Sequence, residues 1–215
     1  MRIERYDATA YPFRKLIQVA LNWEDLEHIH RGHRIGPVIV ENNSDTDLHR
    51  RFYDKIHVDW ADFETCYNAF IAEKMIPLFR SNEFVVQTHP TFRVHFPENR
   101  AVPEFHCDSQ PGYDHPDGEI NVQIAITRCS ETNATWCESV PGLGDYSPIE
   151  LEENEFAIFD GNKCRHGNYL NKTGQTRISL DFRLLPLSRY DERHSRRSAT
   201  KKLKFIIGEY YKAIS

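Results

Sequence analysis

No stretch of this sequence approaches the roughly 20 consecutive apolar residues that a membrane-crossing helix needs, so a spanning protein is not expected. The opening run from Met1 to Asp7 has no apolar segment of the secretory kind, and no signal peptide is expected. Cysteine is sparse and poorly spaced for structure: Cys66, Cys107, Cys129, Cys137 and Cys164 are odd in number, and no two form a Cys-x-x-Cys pair. That argues against a disulfide frame or zinc knuckle and for reduced thiols in the cytoplasm. Without secretion, the sequons at Asn42, Asn133 and Asn171 carry no meaning. Positive charge is not in excess either. The net charge is −5 and the pI about 6.1, so no overall field draws nucleic acid, and no nucleic-acid or membrane partner is expected. Repeats and low-complexity segments are missing too.

What remains is a chain of 215 residues, 40% apolar and 27% charged, enough for one sizeable core and too little for two full domains. Residues 12–31 read as helix in two pieces, with Leu16, Ile17, Val19 and Ala20 as an apolar stripe and Asn22 as the cap of the second. His28, His30 and His33 lie with Arg31 and Arg34 at a polar helix end; no carboxylate or thiol completes a ligand set there. A short strand is expected over 36–40 and a polar loop over 41–47. From Trp60 to Arg80 the apolar spacing is helical again, and Asp59 is expected to cap that run.

After Pro77 the pattern changes to period two. Strands are expected at 84–89, 91–96, 104–108, 119–127, 135–142, 156–160 and 176–185, with a Pro/Gly/Asp-rich loop over 110–118. Helices followed by about eight short strands imply a mainly β fold with α elements, a double-stranded β-helix (jelly roll, cupin-like). Its parts would be a helical layer to about residue 80, a β core over 84–187 and a basic, amphipathic C-terminal helix over 188–215.

The chemistry concentrates in His106-Cys107-Asp108. On an extended segment, residues two apart leave the same face, so one imidazole and one carboxylate stand together. A further imidazole arrives at His166. Two histidines and a carboxylate on one side of a metal, with open positions opposite, form a ligand set for non-haem Fe(II). Farther on, Arg177 and Ser179 alternate with Ile178 and Leu180, placing a guanidinium and a hydroxyl on one face, a pair able to hold a carboxylate. Asn171-Lys-Thr-Gly174-Gln reads as a hairpin turn that brings His166 and Arg177 onto neighbouring antiparallel strands. His57-Val-Asp59 repeats the His-x-Asp spacing but lacks the downstream His and Arg-x-Ser, and is set aside.

On these residues the chain resembles the Fe(II)- and 2-oxoglutarate-dependent oxygenases. Glu119-Ile-Asn, Thr132 to Gly142, Phe159-Asp-Gly, His166-Gly-Asn and Arg177 to Arg183 resemble its phytanoyl-CoA-hydroxylase-like members, most of all the streptomycin-biosynthesis-type oxygenases. The resemblance covers about residues 84–187 and departs from the broader pattern after Pro141-Gly142, where Leu143 replaces the usual Ser-His. It implies His106, Asp108 and His166 as metal ligands, and Arg177 and Ser179 as the clamp on the distal carboxylate of 2-oxoglutarate. The implied reagents are Fe(II), 2-oxoglutarate and dioxygen, with succinate and CO2 released. Halogenating relatives replace the carboxylate ligand by a small residue; Asp108 is present, which favours hydroxylation or another oxidation, and the subgroup resemblance implies a small polar metabolite of specialised or carbohydrate metabolism as substrate. Arg93, Tyr113, Asn121, Trp136 and Arg183 are candidates for touching substrate. Two other readings stay open: a metal-dependent cupin isomerase or epimerase, and a non-catalytic small-molecule-binding protein.

Overall fold

The computed structural model describes residues 1–32, 46–80, 83–102, 104–199 and 202–214. The strand expected over 36–40, most of the loop expected over 41–47, and His33 lie outside them. The helices are α1 (Phe13–Leu21), α2 (Asp47–Val58), α3 (Ala61–Phe70) and α4 (Ile76–Phe79), with a wider π turn over Ile71–Met75 joining the last two. The strands are β1 (Arg2–Arg5), β2 (Phe84–Gln87), β3 (Thr91–His95), β4 (Ile120–Ala125) and β5 (Thr135–Cys137). They continue with β6 (Ser147–Ile149), β7 (Glu155–Phe159), β8 (His166–Gly167), β9 (Arg177–Pro186) and β10 (Tyr211–Ala213). The protein is mainly β sheet with helices. Among the described residues, no helix is long and apolar enough to cross a membrane.

Two antiparallel sheets carry the site. The larger runs β1-β7-β4-β9-β2-β10, with β3 also paired to β9; the smaller runs β6-β5-β8. β9 is the spine of the larger sheet. It pairs with β4 along one edge and with β3 and then β2 along the other. Buried on both faces, it keeps a strict alternation. Ile178, Leu180, Phe182 and Leu184 join the core shared with the helices, while Arg177, Ser179, Asp181 and Arg183 turn the other way.

The helical layer forms because its apolar residues recur every fourth position. Phe13, Ile17 and Leu21 of α1 and Leu48, Phe52 and Ile56 of α2 are buried stripes of this kind. Phe70, fully buried, is the joint between layers: its ring makes edge contacts with Phe13, Phe156 and Phe182. Such edge-to-face pairs add roughly 0.5–1.5 kcal/mol each beyond area burial.

Several expectations are corrected. Asn22 ends α1 in the left-handed conformation (φ 52°) and does not start the next element, a tight 3-10 segment over Leu26–Gly32. Asp59 closes α2, its N–H donating to the Lys55 carbonyl; α3 begins without a side-chain cap. The strand expected over 104–108 contracts to an isolated bridge between His106 and His166.

The C-terminal segment is not a helix. Gly208 sits at φ 89°, which ends any helical run, and β10 then adds to the edge of β2. Its aromatic residues Phe205, Tyr210 and Tyr211 form a buried cluster with Val85 and Leu185. Two of its arginines pair with the 110–118 loop, Arg196 with Asp114 and Arg189 with Asp117, at 2.8 and 2.9 Å.

Because Phe70 joins helices to sheet, Phe70→Ala is expected to cost about 3–5 kcal/mol of unfolding free energy, read as a lower urea midpoint by circular dichroism. A loss under 1 kcal/mol would contradict its place as the joint.

Candidate metal centre

His106 and His166 come from distant segments yet are locked as a pair. The His106 N–H donates to the His166 carbonyl at 3.0 Å, and the His166 N–H donates back at 2.9 Å. Two residues on, the Asp108 N–H donates to the Gly161 carbonyl at 2.9 Å, so the two arms run antiparallel. Gly161 is required there: a Cβ would lie 2.7 Å from the Asn121 amide nitrogen, which itself donates to Asp108.

The three side chains converge. His106 Nε2 lies 3.6 Å and His166 Nε2 3.8 Å from the same oxygen, Asp108 Oδ1. Each ring points its Nδ1 at a backbone carbonyl, His106 at Glu104 (2.9 Å) and His166 at Cys164 (3.2 Å). With Nδ1–H donating, the Nε2 lone pairs are left facing the carboxylate. The other carboxylate oxygen, Oδ2, accepts from Arg183 Nε and Asn121 Nδ2, both at 2.8 Å. Oδ1 is buried and has no hydrogen-bond partner. Two imidazole nitrogens and a buried carboxylate oxygen thus face one point with no hydrogen bond among them, an arrangement that a shared cation would satisfy. The donor set, all within 4.8 Å, therefore fits a divalent first-row metal ion.

Electrostatics agree. Burial alone would raise the Asp108 pKa, but the Arg183 guanidinium and His106 outweigh it and hold this carboxyl well below the usual carboxylate range. Burial pushes His166 down to about 4, keeping the ring neutral, the state a ligand needs.

Arg177 forms the second half of the site. Fully buried, it has its pKa lowered by desolvation; Nη1 donates to Thr135 Oγ1 at 3.1 Å and faces Ser179 Oγ at 3.5 Å. Its Nε has no partner, and it makes no ion pair among the described residues. A buried cation of this sort is costly unless an anion reaches it. His106, His166, Gln123, Thr135, Arg177 and Arg183 line one cavity, so both imidazoles and the guanidinium without an ion pair share a space. They do so across the two sheets: His166 is on β8 of the smaller and Arg177 on β9 of the larger. The expectation of neighbouring strands is corrected accordingly. The turn between them does contain Gly174 at φ 72°.

The remaining candidates separate. Arg93 lines the cavity and pairs with Asp181 at 3.4 Å. Tyr113 stacks on the His106 ring at 3.9 Å and 11°. Asn121 and Arg183 line the cavity too, and each donates to Asp108 Oδ2. Trp136 does not line the cavity; its indole N–H donates to the Glu131 carbonyl and its ring meets Tyr169. Its neighbour Thr135 lines the cavity instead, as period-two alternation allows only one of the two. Gln123 was missed as well: its buried Nε2 has no partner, and it follows Asn121 on the same face of β4. Of the early histidines, His28 bonds Asp25 and His30 bonds Thr176; neither joins a metal cluster among the described residues.

The fold is shared with a non-haem monooxygenase. ThoJ, in its nickel complex and in its apo form, superposes with TM-scores of 0.56 and 0.55 at 11% identity, over 90% of this chain and 75% of that one. No family model matches the sequence. At the level of sequence, the chain is 33% identical over 210 residues to the streptomycin biosynthesis protein StrG of Streptomyces griseus, across 98% of this chain and 96% of that protein. It belongs to the StrG family of streptomycin-biosynthesis-type proteins.

His166 carries a pH signature. Its folded value, about 4, is below the ordinary 6.5, so the unfolded chain takes the proton first. Stability of the metal-free protein is expected to fall as pH drops from about 6.5 toward 4, and His166→Gln should flatten that fall. Urea midpoints of both proteins between pH 7 and 4 test this; parallel curves would refute it.

Proposed function

We propose that this chain is a single-domain, non-haem Fe(II)/2-oxoglutarate-dependent dioxygenase of the phytanoyl-CoA-hydroxylase-like kind, built on a double-stranded β-helix and working in the cytoplasm. Its substrate is a small polar metabolite of specialised or carbohydrate metabolism, hydroxylated with release of succinate and CO2. The name of the Streptomyces griseus relative supports the metabolic setting. The observation that carries the reading is the buried convergence of His106, His166 and Asp108 Oδ1, with both histidines lining the cavity that Arg177 also lines without an ion pair.

In this reading His106, Asp108 and His166 hold Fe(II), while Arg177 and Ser179 hold the far carboxylate of 2-oxoglutarate by charge-assisted hydrogen bonds. When bound, iron, 2-oxoglutarate and dioxygen supply the oxidising chemistry. The protein supplies the rest. Asn121 and Arg183 fix Asp108 so that one oxygen faces the histidines, and Tyr113 covers the His106 ring. The buried walls keep bulk water from the reacting groups. Arg93 and Tyr113, both half-buried beside the site, are the groups left to touch a polar substrate. A cupin isomerase or epimerase that works without 2-oxoglutarate would have no use for a buried guanidinium at Arg177, and a binding module none for three converging ligands.

The test is an anaerobic titration of apoprotein with Fe(II) and 2-oxoglutarate, followed by visible absorption. Wild type should develop a weak metal-to-ligand charge-transfer band. Asp108→Ala should lose it, and Arg177→Ala should need roughly 10–100-fold more 2-oxoglutarate, the worth of a charged hydrogen bond. Bound iron with no band on adding 2-oxoglutarate would defeat the proposal.

A further inference from the structure

Behind Asp108 lies a buried charged cluster that the reaction itself does not use. Arg183 stands between two carboxylates, its Nε 2.8 Å from Asp108 Oδ2 and 3.8 Å from Glu119 Oε2. Glu119 is almost fully buried, and each of its oxygens has a partner. Tyr211 on β10 donates its hydroxyl to Oε1, and His115 Nδ1 meets Oε2 at 2.7 Å. Arg183 Nη1 reaches the Tyr210 hydroxyl at 3.4 Å, which in turn donates to Gln87 at 3.0 Å. The ring of His115 packs on Phe205 of the same C-terminal segment at 4.5 Å.

We propose that Glu119 and Tyr211 are positioning residues for Asp108, acting through Arg183, and that the C-terminal strand is thereby part of the metal centre. The proposal rests on the metal-site reading above. An arginine paired only with Asp108 would close a neutral ion pair and offer an incoming dication no net attraction. A second carboxylate on the far side changes the balance. Asp108, Glu119 and Arg183 together retain one formal negative charge, beside which Asp108 Oδ1 faces the two histidines. Tyr211 fixes the Glu119 carboxylate so that it keeps facing Arg183. Asp108, His115 and Glu119 have ligand spacing of their own, but Arg183 donates to Asp108 Oδ2 and lies as a counter-charge 3.8 Å from Glu119 Oε2, so a cation already stands between the two carboxylates.

The experiment titrates metal-free protein with Co(II), reading its visible d–d bands, in wild type, Glu119→Gln, Tyr211→Phe and a distant control, Arg5→Ala. Thermal melts are recorded in parallel. Glu119→Gln and Tyr211→Phe should each bind Co(II) roughly 10–100-fold more weakly, the usual cost of losing a group that orients a metal ligand, with the d–d spectrum altered and the folded baseline kept. Arg5→Ala should match wild type. If Glu119→Gln fails to fold, Tyr211→Phe carries the test, since it removes one hydroxyl only. Wild-type affinity and spectrum in the folded variants would overturn the proposal and leave the metal-site reading standing. Weakening that merely follows loss of folded protein would also overturn it. No Co(II) binding by wild type would sink both.

Discussion

The carboxylate of Asp108 is the point on which the structure depends. A buried anion is tolerable only when it is paired and hydrogen-bonded. Arg183 and Asn121 meet that demand at one oxygen and leave the other facing two imidazoles. Much of the surrounding architecture serves this asymmetry. Gly161 lets Asn121 approach, the reciprocal bridge between His106 and His166 sets the ligand backbones, and the C-terminal segment packs beneath Arg183.

Strand alternation makes such a centre affordable. On β9, apolar side chains alternate with charged ones, so a single strand faces the helical core on one side and the cavity on the other. β4 repeats the arrangement, with Val122 and Ile124 in the core and Asn121 and Gln123 opposite. The polar rows of both strands meet in register: Asn121 lies across from Arg183 and Gln123 from Asp181. The aromatic cluster around Phe70 holds the opposite face rigid, which in turn holds the polar row in place.

Legibility in the sequence followed locality. The His-x-Asp pair, the late His and the Arg-x-Ser pair could be read because period-two alternation and side-chain chemistry are properties of short segments. So could α1, most of the run from Trp60 to Arg80, and most strands of the larger sheet. Helix α2 was not read, because Leu48, Phe52 and Ile56 are its few apolar positions among many charges and its stripe is thin. The C-terminal segment was misread for the opposite reason. Leu203, Phe205, Ile206, Tyr210 and Tyr211 mimic a helical stripe, yet the free edge of β2 and the turn at Gly208 draw the chain into a strand. Trp136 and Thr135 show the limit within one strand: alternation says that one faces inward, not which.

The sequence by itself determined the kinds of donor, their grouping in pairs two residues apart, and a chain whose helices, apart from the short β1, come before its strands. These are matters of covalent spacing and backbone periodicity. Only the tertiary structure decided that His166 and Arg177 belong to different sheets and meet across a cavity, and that Asn121 and Arg183 serve Asp108. It alone brought Glu119 and Tyr211 into the same buried cluster. Such relations depend on which surfaces pack together and on where a buried charge finds its partner, and both are settled by burial over the whole chain.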